Sequence, residues 1–255
     1  MAVAAAAGRR TPCAGLCMTG LLASIRSADE ALIALHGGAD IIDCKEPADG
    51  ALGALPARDI RAVVAVVGGK RPVSATTGRP APDARALREQ IEATADCGVD
   101  MVKFGLYDSD AASQMLAAVR PGVADLKLVA VCFADRYDPN DLLPQLADAG
   151  VYGAMLDTHD KHAGSLTECR TRQWIAGFVD AAHSLGLVCG LAGRLRSDDI
   201  ARLLPIGADY LGFRSALCVG DRAAGIDPDA VARVRRRIPT RTTNKAPRHR
   251  RMEAV

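Results

Sequence analysis

An eight-stranded parallel barrel of alternating strands and helices, a (β/α)8 barrel, is the fold class that this sequence of 255 residues predicts. Three observations favour it: strand-like and helix-like stretches alternate, they form eight units, and one sequence pattern recurs at every second unit. Short apolar strands that alternate with helices are typical of a parallel sheet covered on both faces. Eight units in a chain of this length favour closure of the sheet into a barrel.

The expected strands are eight short apolar stretches at 20–25, 40–45, 72–76, 101–106, 127–133, 153–157, 187–193 and 210–215. The stretches between them are rich in Ala, Leu and Arg and long enough for helices, as at 83–97, 168–185 and 227–237. A doubly wound open sheet is the alternative fold. That fold usually has a glycine-rich fingerprint after its first strand, which the segment GLLASIRSADEA lacks.

The recurring pattern consists of four similar segments: HGGADIIDCKEP, DCGVDMVKFGLY, DAGVYGAMLDTH and PIGADYLGFRSA. Each contains a glycine that is expected to end a helix in the left-handed conformation, namely Gly38, Gly98, Gly150 and Gly207. Each segment then enters an apolar strand, and successive segments lie two βα units apart. They are therefore expected to contain the second, fourth, sixth and eighth strands.

The polar residues of this pattern are expected to meet at one end of the barrel. The fifth and seventh positions after each glycine face the same way, because side chains alternate along a strand. Alternate strands contribute to common interior layers, and barrel active sites lie at the carboxyl ends of the strands. The charged residues placed there are Asp43, Lys45, Lys103, Asp157 and Arg214. Met155 occupies an equivalent position and is expected to fill the core.

The lysines of this pattern suggest chemistry, because the chain has 32 Lys and Arg residues together but only six lysines. Arg stays protonated, whereas a partly buried Lys can lose its proton and act as a nucleophile. Lys161, four residues after Asp157, is a third candidate amine. The alternative is an ion pair of Asp43 and Lys45 that seals the barrel end. Several charged side chains at one end of the barrel interior destabilise the fold, however, unless they form ion pairs or are needed for function.

The loops after strands seven and eight are expected to bind phosphate, as they often do in barrels. The first loop, in GLAGRLRSDDI, has Gly193 for close backbone approach, followed by Arg194, and the second, in GFRSALCVGDR, supplies Arg214 and Ser215. Small residues, free N–H groups and Arg together suit an oxyanion. The alternative is ordinary turn glycines beside surface arginines. Together with the lysines, these loops favour a phosphorylated carbonyl compound as substrate.

Other features narrow the possible functions. The net charge of +2 is too small to imply a nucleic-acid partner, and no apolar run is long enough to span a membrane. The five histidines lack metal-ligand spacing, and His159 is more simply explained as a solvated loop residue than as a substrate contact. Asp135 and Tyr137 follow the fifth strand, where they could assist acid–base chemistry or cap the next helix.

The eight cysteines form no CxxC pair. Four lie within or beside apolar runs and are expected to be buried free thiols of a cytoplasmic protein, namely Cys44, Cys132, Cys189 and Cys218. We expect a flexible extension at 1–18, a catalytic barrel at 19–238 and a disordered basic tail at 239–255.

A family resemblance is carried by motifs that run in order over about residues 20–237: LLASIRSADEALIALHGGADIIDCKEPADGALGA, VSATTG, VKFGLY, GAMLDTHDK, AHSLGL, LAGRL and GFRSALCVGDR. With these motifs the chain resembles the (5-formylfuran-3-yl)methyl phosphate synthase family of methanofuran biosynthesis. The match is specific, because DxKxPxxGxLGA and GAMLDTxxK are not general features of barrels.

The resemblance implies a (β/α)8 lyase of one-carbon metabolism that joins two glyceraldehyde 3-phosphate molecules through a lysine Schiff base. Loss of phosphate, cyclisation and dehydration then give a furan, and neither a metal nor an organic cofactor is implied. The Schiff-base lysine of the family falls on Lys45, with Asp43 beside it, and the proton-transfer lysine falls on Lys103. The Asp and Lys of LDTxxK fall on Asp157 and Lys161.

The sequence departs from many relatives at Ser215, where GFRSALC replaces GFRGAAC and crowds the expected phosphate loop. Two other functions are considered: a simple Schiff-base aldolase acting on triose phosphates, and a catalytically silent barrel that binds an anion. We expect a cytoplasmic homo-oligomer that acts on phosphorylated trioses and has no nucleic-acid or membrane partner.

Overall fold

The computed structural model describes residues 19–119, 126–160, 164–221 and 224–239, and within them it is a closed barrel of eight parallel strands. Each strand pairs with its neighbours in sequence, and the last strand pairs with the first. The strands are β1 (Gly20–Ile25), β2 (Ile41–Cys44), β3 (Val73–Thr76), β4 (Met101–Leu106), β5 (Lys127–Phe133), β6 (Gly153–Asp157), β7 (Val188–Leu191) and β8 (Tyr210–Phe213). The predicted barrel is confirmed, and the open sheet is excluded.

The helices follow the strands in the order of the chain. They are α1 (Ala28–His36), α2 (Ala57–Val67), α3 (Ala84–Ala95), α4 (Ser109–Val119), α5 (Leu143–Asp148), α6 (Leu166–Cys169), α7 (Arg172–Ser184), α8 (Ile200–Leu203) and α9 (Pro228–Arg237). Short 3₁₀ helices lie at Pro47–Asp49, Asn140–Leu142, Ser197–Asp199, Leu204–Ile206 and Ser215–Leu217. None of the described helices is long and apolar enough to cross a membrane.

The repeat has the backbone conformation that was predicted for it. All four of its glycines have a positive φ, with values of 83° for Gly38, 83° for Gly98, 73° for Gly150 and 81° for Gly207. Glycine adopts this left-handed conformation without the steric cost that a Cβ atom would impose. The segments after them enter β2, β4, β6 and β8, as expected.

Several predicted boundaries differ from the structure, among them the end of the eighth strand at Phe213, and two of the differences have a local reason. The helix expected at 168–185 is two helices, because Arg170 has an extended backbone and Thr171 starts α7 by accepting a hydrogen bond from the Trp174 N–H at 3.2 Å. The seventh strand ends at Leu191, two residues short of the predicted 193, because the chain turns away at Gly193 with φ 99°.

Apolar side chains pack on both sides of the strand layer. A large cluster fills the space between strands and helices, and includes Leu21, Ile42, Phe104 and Leu156. A smaller cluster lies inside the barrel and consists of Leu22, Ile41, Leu52, Met101, Val131, Phe133, Met155 and Ala192. Met155 is 3% exposed, so its predicted role in the core is confirmed. The polar residues of the barrel interior therefore lie above this cluster, towards the carboxyl ends of the strands.

The described cysteines are free thiols. Cys44, Cys132 and Cys189 are buried as predicted, while Cys218 is half-buried. Burial raises the pKa of Cys132 to about 12, and burial likewise raises the pKa of Cys44 and of Cys189. The predicted extensions at 1–18 and 239–255 lie outside the described residues, apart from Pro239.

Alkylation tests this burial. At pH 8 a thiol with a pKa of about 12 is ionised in only about one molecule in 10⁴, and only the thiolate reacts. We expect iodoacetamide to leave Cys44, Cys132 and Cys189 unmodified in the native protein at pH 8 and to modify all three in urea. Peptide mass spectrometry distinguishes the sites. Rapid modification of these three thiols in the folded protein would contradict their burial.

Candidate active site

A cavity of about 580 Å³ lies at the carboxyl ends of the strands. Seven of the predicted site residues line it: Lys45, Lys103, Asp157, Gly193, Arg194, Arg214 and Ser215. Asp43 lies beneath the cavity floor and is fully buried. Lys161 lies outside the described residues, so its place at the site stays a prediction. One cavity thus joins the predicted amines to the predicted phosphate loops.

The lower polar layer is built around the Asp43 carboxylate. Its Oδ1 lies 2.7 Å from Lys103 Nζ and accepts a hydrogen bond from Ser74 Oγ at 2.6 Å. Its Oδ2 accepts a hydrogen bond from Ser24 Oγ at 2.9 Å. These partners stand on β1, β3 and β4, so four adjacent strands meet at this carboxylate. A buried charge needs such full compensation, and the same contacts hold the Lys103 ammonium in place.

The upper polar layer is looser and faces the cavity. Lys45 Nζ lies 3.4 Å from Asp157 Oδ2, and the two side chains are 11% and 10% exposed. The other oxygen, Asp157 Oδ1, accepts the Thr158 N–H at 2.7 Å, which fixes the carboxylate. Lys45 therefore has a fixed acceptor for a proton and an amine that is reachable from the cavity.

The partner of Asp43 differs from the one expected from the sequence. Asp43 was expected beside Lys45, but it contacts Lys103, and Lys45 contacts Asp157. Residues two apart on a strand face the same way but lie about 6.6 Å apart along it. The short Asp43 side chain therefore stays within its own layer, where the long Lys103 side chain reaches it, while Lys45 projects above that layer.

The loop after β2 shows why the second glycine of the DxKxPxxGxLGA motif, Gly53, must be a glycine. The Gly53 carbonyl accepts the Glu46 N–H at 2.8 Å and the Thr76 hydroxyl at 2.9 Å. A Cβ atom on Gly53 would collide with the Glu46 carbonyl oxygen. Glycine is therefore required for the loop to close, and the closed loop places Ala51 in the cavity wall.

The predicted phosphate loops lie side by side at the cavity. Gly193 packs so closely on the β6 loop that an added Cβ would lie 3.0 Å from the Thr158 backbone nitrogen. Arg194 has φ 51° and is the single non-glycine among the described residues with a positive φ. Such strained conformations cluster at functional sites. Ser215 begins the short helix after β8, and a further cavity of about 560 Å³ continues between Arg194 and Ser215.

Arg214 is bound by the protein itself. Its Nη1 and Nη2 both contact the Glu30 carboxylate, and they also donate to the Ser24 carbonyl at 3.2 Å and the Ala224 carbonyl at 2.7 Å. Sequence analysis missed Glu30. The segment SADE resembles a capping box, and Ser27 does accept the Glu30 N–H at the start of α1. The ion pair of Glu30 with Arg214, just after the last strand, leaves no signal in the sequence.

An aromatic cluster lies beside the cavity, which one of its members, His159, lines. The His159 ring packs edge-on against Tyr107, with 5.7 Å between centroids, and against Phe133 at 5.3 Å. Burial, followed by the charge of Asp157, raises the pKa of Tyr107 to about 12, so its hydroxyl stays protonated at neutral pH. His159 is half-buried and lines the cavity, unlike the solvated loop residue that was expected.

Asp135 and Tyr137 stabilise neighbouring loops. Asp135 accepts the His159 N–H at 2.8 Å and the Asp160 N–H at 2.7 Å, so it binds the β6 loop. The Tyr137 hydroxyl donates to the Leu106 carbonyl at 2.6 Å. Within the described part of the chain, no group of three His, Cys, Asp or Glu side chains is arranged to hold a metal ion.

Comparison with known sequences decides the family. The sequence model of a family described as 4-HFC-P synthase matches residues 21–235. The chain belongs to the 4-HFC-P synthase family. A relative from Methylorubrum extorquens is 42% identical over 214 residues, which cover 83% of this chain and 88% of the relative. A relative from Methanosarcina mazei, named (5-formylfuran-3-yl)methyl phosphate synthase, is 39% identical over 228 residues, which cover 84% and 97%.

Solved structures support the fold of this 4-HFC-P synthase family member. Phosphoribosyl anthranilate isomerase from Thermus thermophilus has a TM-score of 0.61 at 14% identity, with 86% of this chain and 98% of that chain covered. At this identity the likeness concerns the barrel alone. The match of the family model and the relatives over nearly the whole barrel confirms the resemblance drawn from the motifs.

The lower polar layer predicts a large effect of Asp43→Asn on stability. The variant leaves the Lys103 ammonium buried without a carboxylate, which costs about 3–5 kcal/mol. Ser24→Ala removes only one hydrogen bond to the same carboxylate and should cost about 1 kcal/mol. Urea unfolding followed by circular dichroism measures both free energies.

The double variant Asp43→Asn/Lys103→Met is the control for this prediction. It removes the unpaired ammonium, so we expect it to recover much of the stability lost in Asp43→Asn. Equal costs for Asp43→Asn and Ser24→Ala would show that the ion pair does not dominate this layer.

Proposed function

We propose that this chain condenses two glyceraldehyde 3-phosphate molecules through a Schiff base on Lys45 to form (5-formylfuran-3-yl)methyl phosphate. Phosphate and water are lost on the way. The observation that carries the proposal is the Lys45 amine, which faces the cavity 3.4 Å from Asp157. Schiff-base formation requires an amine that can pass its proton to a nearby acceptor, and this pair places the two groups together.

The contrast between the two lysines supports Lys45 as the nucleophile. Lys103 Nζ lies 2.7 Å from a carboxylate that is fully buried, so deprotonation of Lys103 would leave the Asp43 charge uncompensated. Lys45 has a longer contact to a carboxylate at the cavity surface, where a carbonyl compound in the cavity can reach the amine. We therefore assign imine formation to Lys45 and charge stabilisation with proton transfer to the Lys103–Asp43 pair.

Asp157 is proposed as the base that serves the Lys45 amine. Its second oxygen is held by the Thr158 N–H, so the oxygen that faces Lys45 keeps its direction during proton transfer. Lys161 is proposed as a further proton-transfer residue on the strength of the LDTxxK motif. The imine withdraws electrons from the neighbouring carbon, so these steps need neither a metal nor an organic cofactor.

The phosphate groups are proposed to bind at the β7 and β8 loops. Gly193 contributes its backbone to the cavity wall, and the exposed Arg194 brings a positive charge to the same wall. Ser215 adds a hydroxyl, and Arg214 adds a guanidinium whose charge is largely compensated by Glu30. We therefore expect Arg194 to contribute more to substrate affinity than Arg214.

Product analysis tests the proposed reaction. Incubation with glyceraldehyde 3-phosphate should release inorganic phosphate and give a product with furan absorbance and the mass of (5-formylfuran-3-yl)methyl phosphate. A simple Schiff-base aldolase would give an aldol product that keeps both phosphates. Binding of the substrate without turnover or a trappable imine would identify a silent anion-binding barrel.

Reductive trapping tests the role of Lys45. Borohydride with glyceraldehyde 3-phosphate should form a stable adduct in the wild-type chain and none in Lys45→Arg, because arginine keeps the charge but forms no imine. Lys70→Arg is the matched control, since Lys70 is exposed and outside the cavity. Intact mass spectrometry detects the adduct. An adduct in Lys45→Arg at the wild-type level would exclude Lys45 as the nucleophile.

A further inference from the structure

The His159 imidazole is held in a defined position at the cavity. Its ring packs against Tyr107 and Phe133 at angles of 88° and 82°, so two edge-to-face contacts restrict its rotation. Its backbone is also fixed, because both carboxylate oxygens of Asp135 lie within 3.0 Å of the His159 backbone nitrogen. A histidine fixed in this way at a cavity wall is suited to a proton transfer that requires a set direction.

His159 lines the same cavity as the reactive amine and the expected phosphate loops. It follows Asp157, the partner of Lys45, by two residues. The residue between them, Thr158, is in close contact with Gly193 of the β7 loop. One cavity therefore brings His159 together with the amine, its proposed base and the proposed phosphate site.

We propose that His159 is the general acid that protonates the phosphate group as it leaves. This inference rests on the proposed function and deepens it. A phosphate monoester dianion that departs unassisted would leave as a trianion, so the transition state is stabilised by a proton on the departing oxygen. Histidine supplies such a proton near neutral pH.

The proton and electron balance of the step is complete. In the enamine formed on Lys45, the nitrogen lone pair becomes a C=N bond and the enamine double bond shifts by one carbon. The C–O bond to phosphate breaks, and its electron pair stays on the phosphate oxygen. The His159 imidazolium gives its proton to that oxygen and becomes neutral, and water later restores the proton.

Several charged or titratable groups surround His159 and affect its proton. The titratable or charged residues that pack against it or line the same cavity are Tyr107, Asp135, Asp157, Asp160, Lys45, Lys103, Arg194 and Arg214. The Asp135 carboxylate contacts the backbone of the loop, and the Lys45–Asp157 pair is close to neutral as a unit. The full-length chain, with all these groups present, is therefore the form to be tested.

The test separates phosphate release from imine formation. His159→Gln keeps a polar side chain without a transferable proton, and His159→Phe keeps the ring packing against Tyr107 and Phe133. His36→Gln is the matched control, since His36 is an exposed histidine at the end of α1. Single-turnover phosphate release and borohydride trapping are measured for each chain with glyceraldehyde 3-phosphate from pH 5.5 to 8.5.

We expect both His159 variants to form the trapped adduct at the wild-type level but to release phosphate about 100-fold more slowly. The decline of the wild-type rate with rising pH should be absent in both, while His36→Gln behaves as wild type. Unchanged phosphate release in both His159 variants would overturn the assignment and leave the imine chemistry intact. Loss of the adduct in folded His159 variants would place His159 at an earlier step and also overturn it. Absence of an adduct in the wild-type chain would instead refute the proposed function.

Discussion

A carboxylate buried inside the barrel is the constraint on which the rest of the site depends. Asp43 has no exposed surface, and an unpaired charge there would be incompatible with a stable fold. It is accommodated because Lys103 and two serine hydroxyls surround it. Those groups come from three further strands, so the first four strands must adopt one register for the charge to be compensated. That register also determines where Lys45 emerges above the layer.

The two polar layers give chemically similar amines different surroundings. The lower ammonium is enclosed with its counter-ion, while the upper amine has one carboxylate and an open cavity. In the proposed reaction this difference allows one lysine to become neutral and react while the other keeps its charge. Loops contribute the rest of the wall, with Gly53 and Gly193 each packed where a side chain would not fit.

Periodicity and glycine placement were enough to predict the barrel, its eight strands and the residues at its mouth. The contacts among those residues could not be predicted, because strand tilt decides which side chain reaches across to which. Asp43 pairs with Lys103 for that reason, although Lys45 is nearer in sequence. Glu30 was not predicted as a site residue because its capping role is enough to explain its presence. The packing of His159 was not predicted because Tyr107 and Phe133 are distant from it in sequence.

Glu30 joins the first helix of the barrel to the segment just after its last strand, two parts of the chain that are synthesised at different times. It accepts the Arg26 N–H locally, and it binds Arg214, which lies 184 residues later in the chain. On the ribosome, α1 is therefore complete long before its ion-pair partner has been synthesised. Until then the Glu30 carboxylate can bind only the backbone at the start of α1. The wall between β8 and β1 is thus the last part of the cavity to form, and a nascent chain cannot assemble the site before its final strand is released.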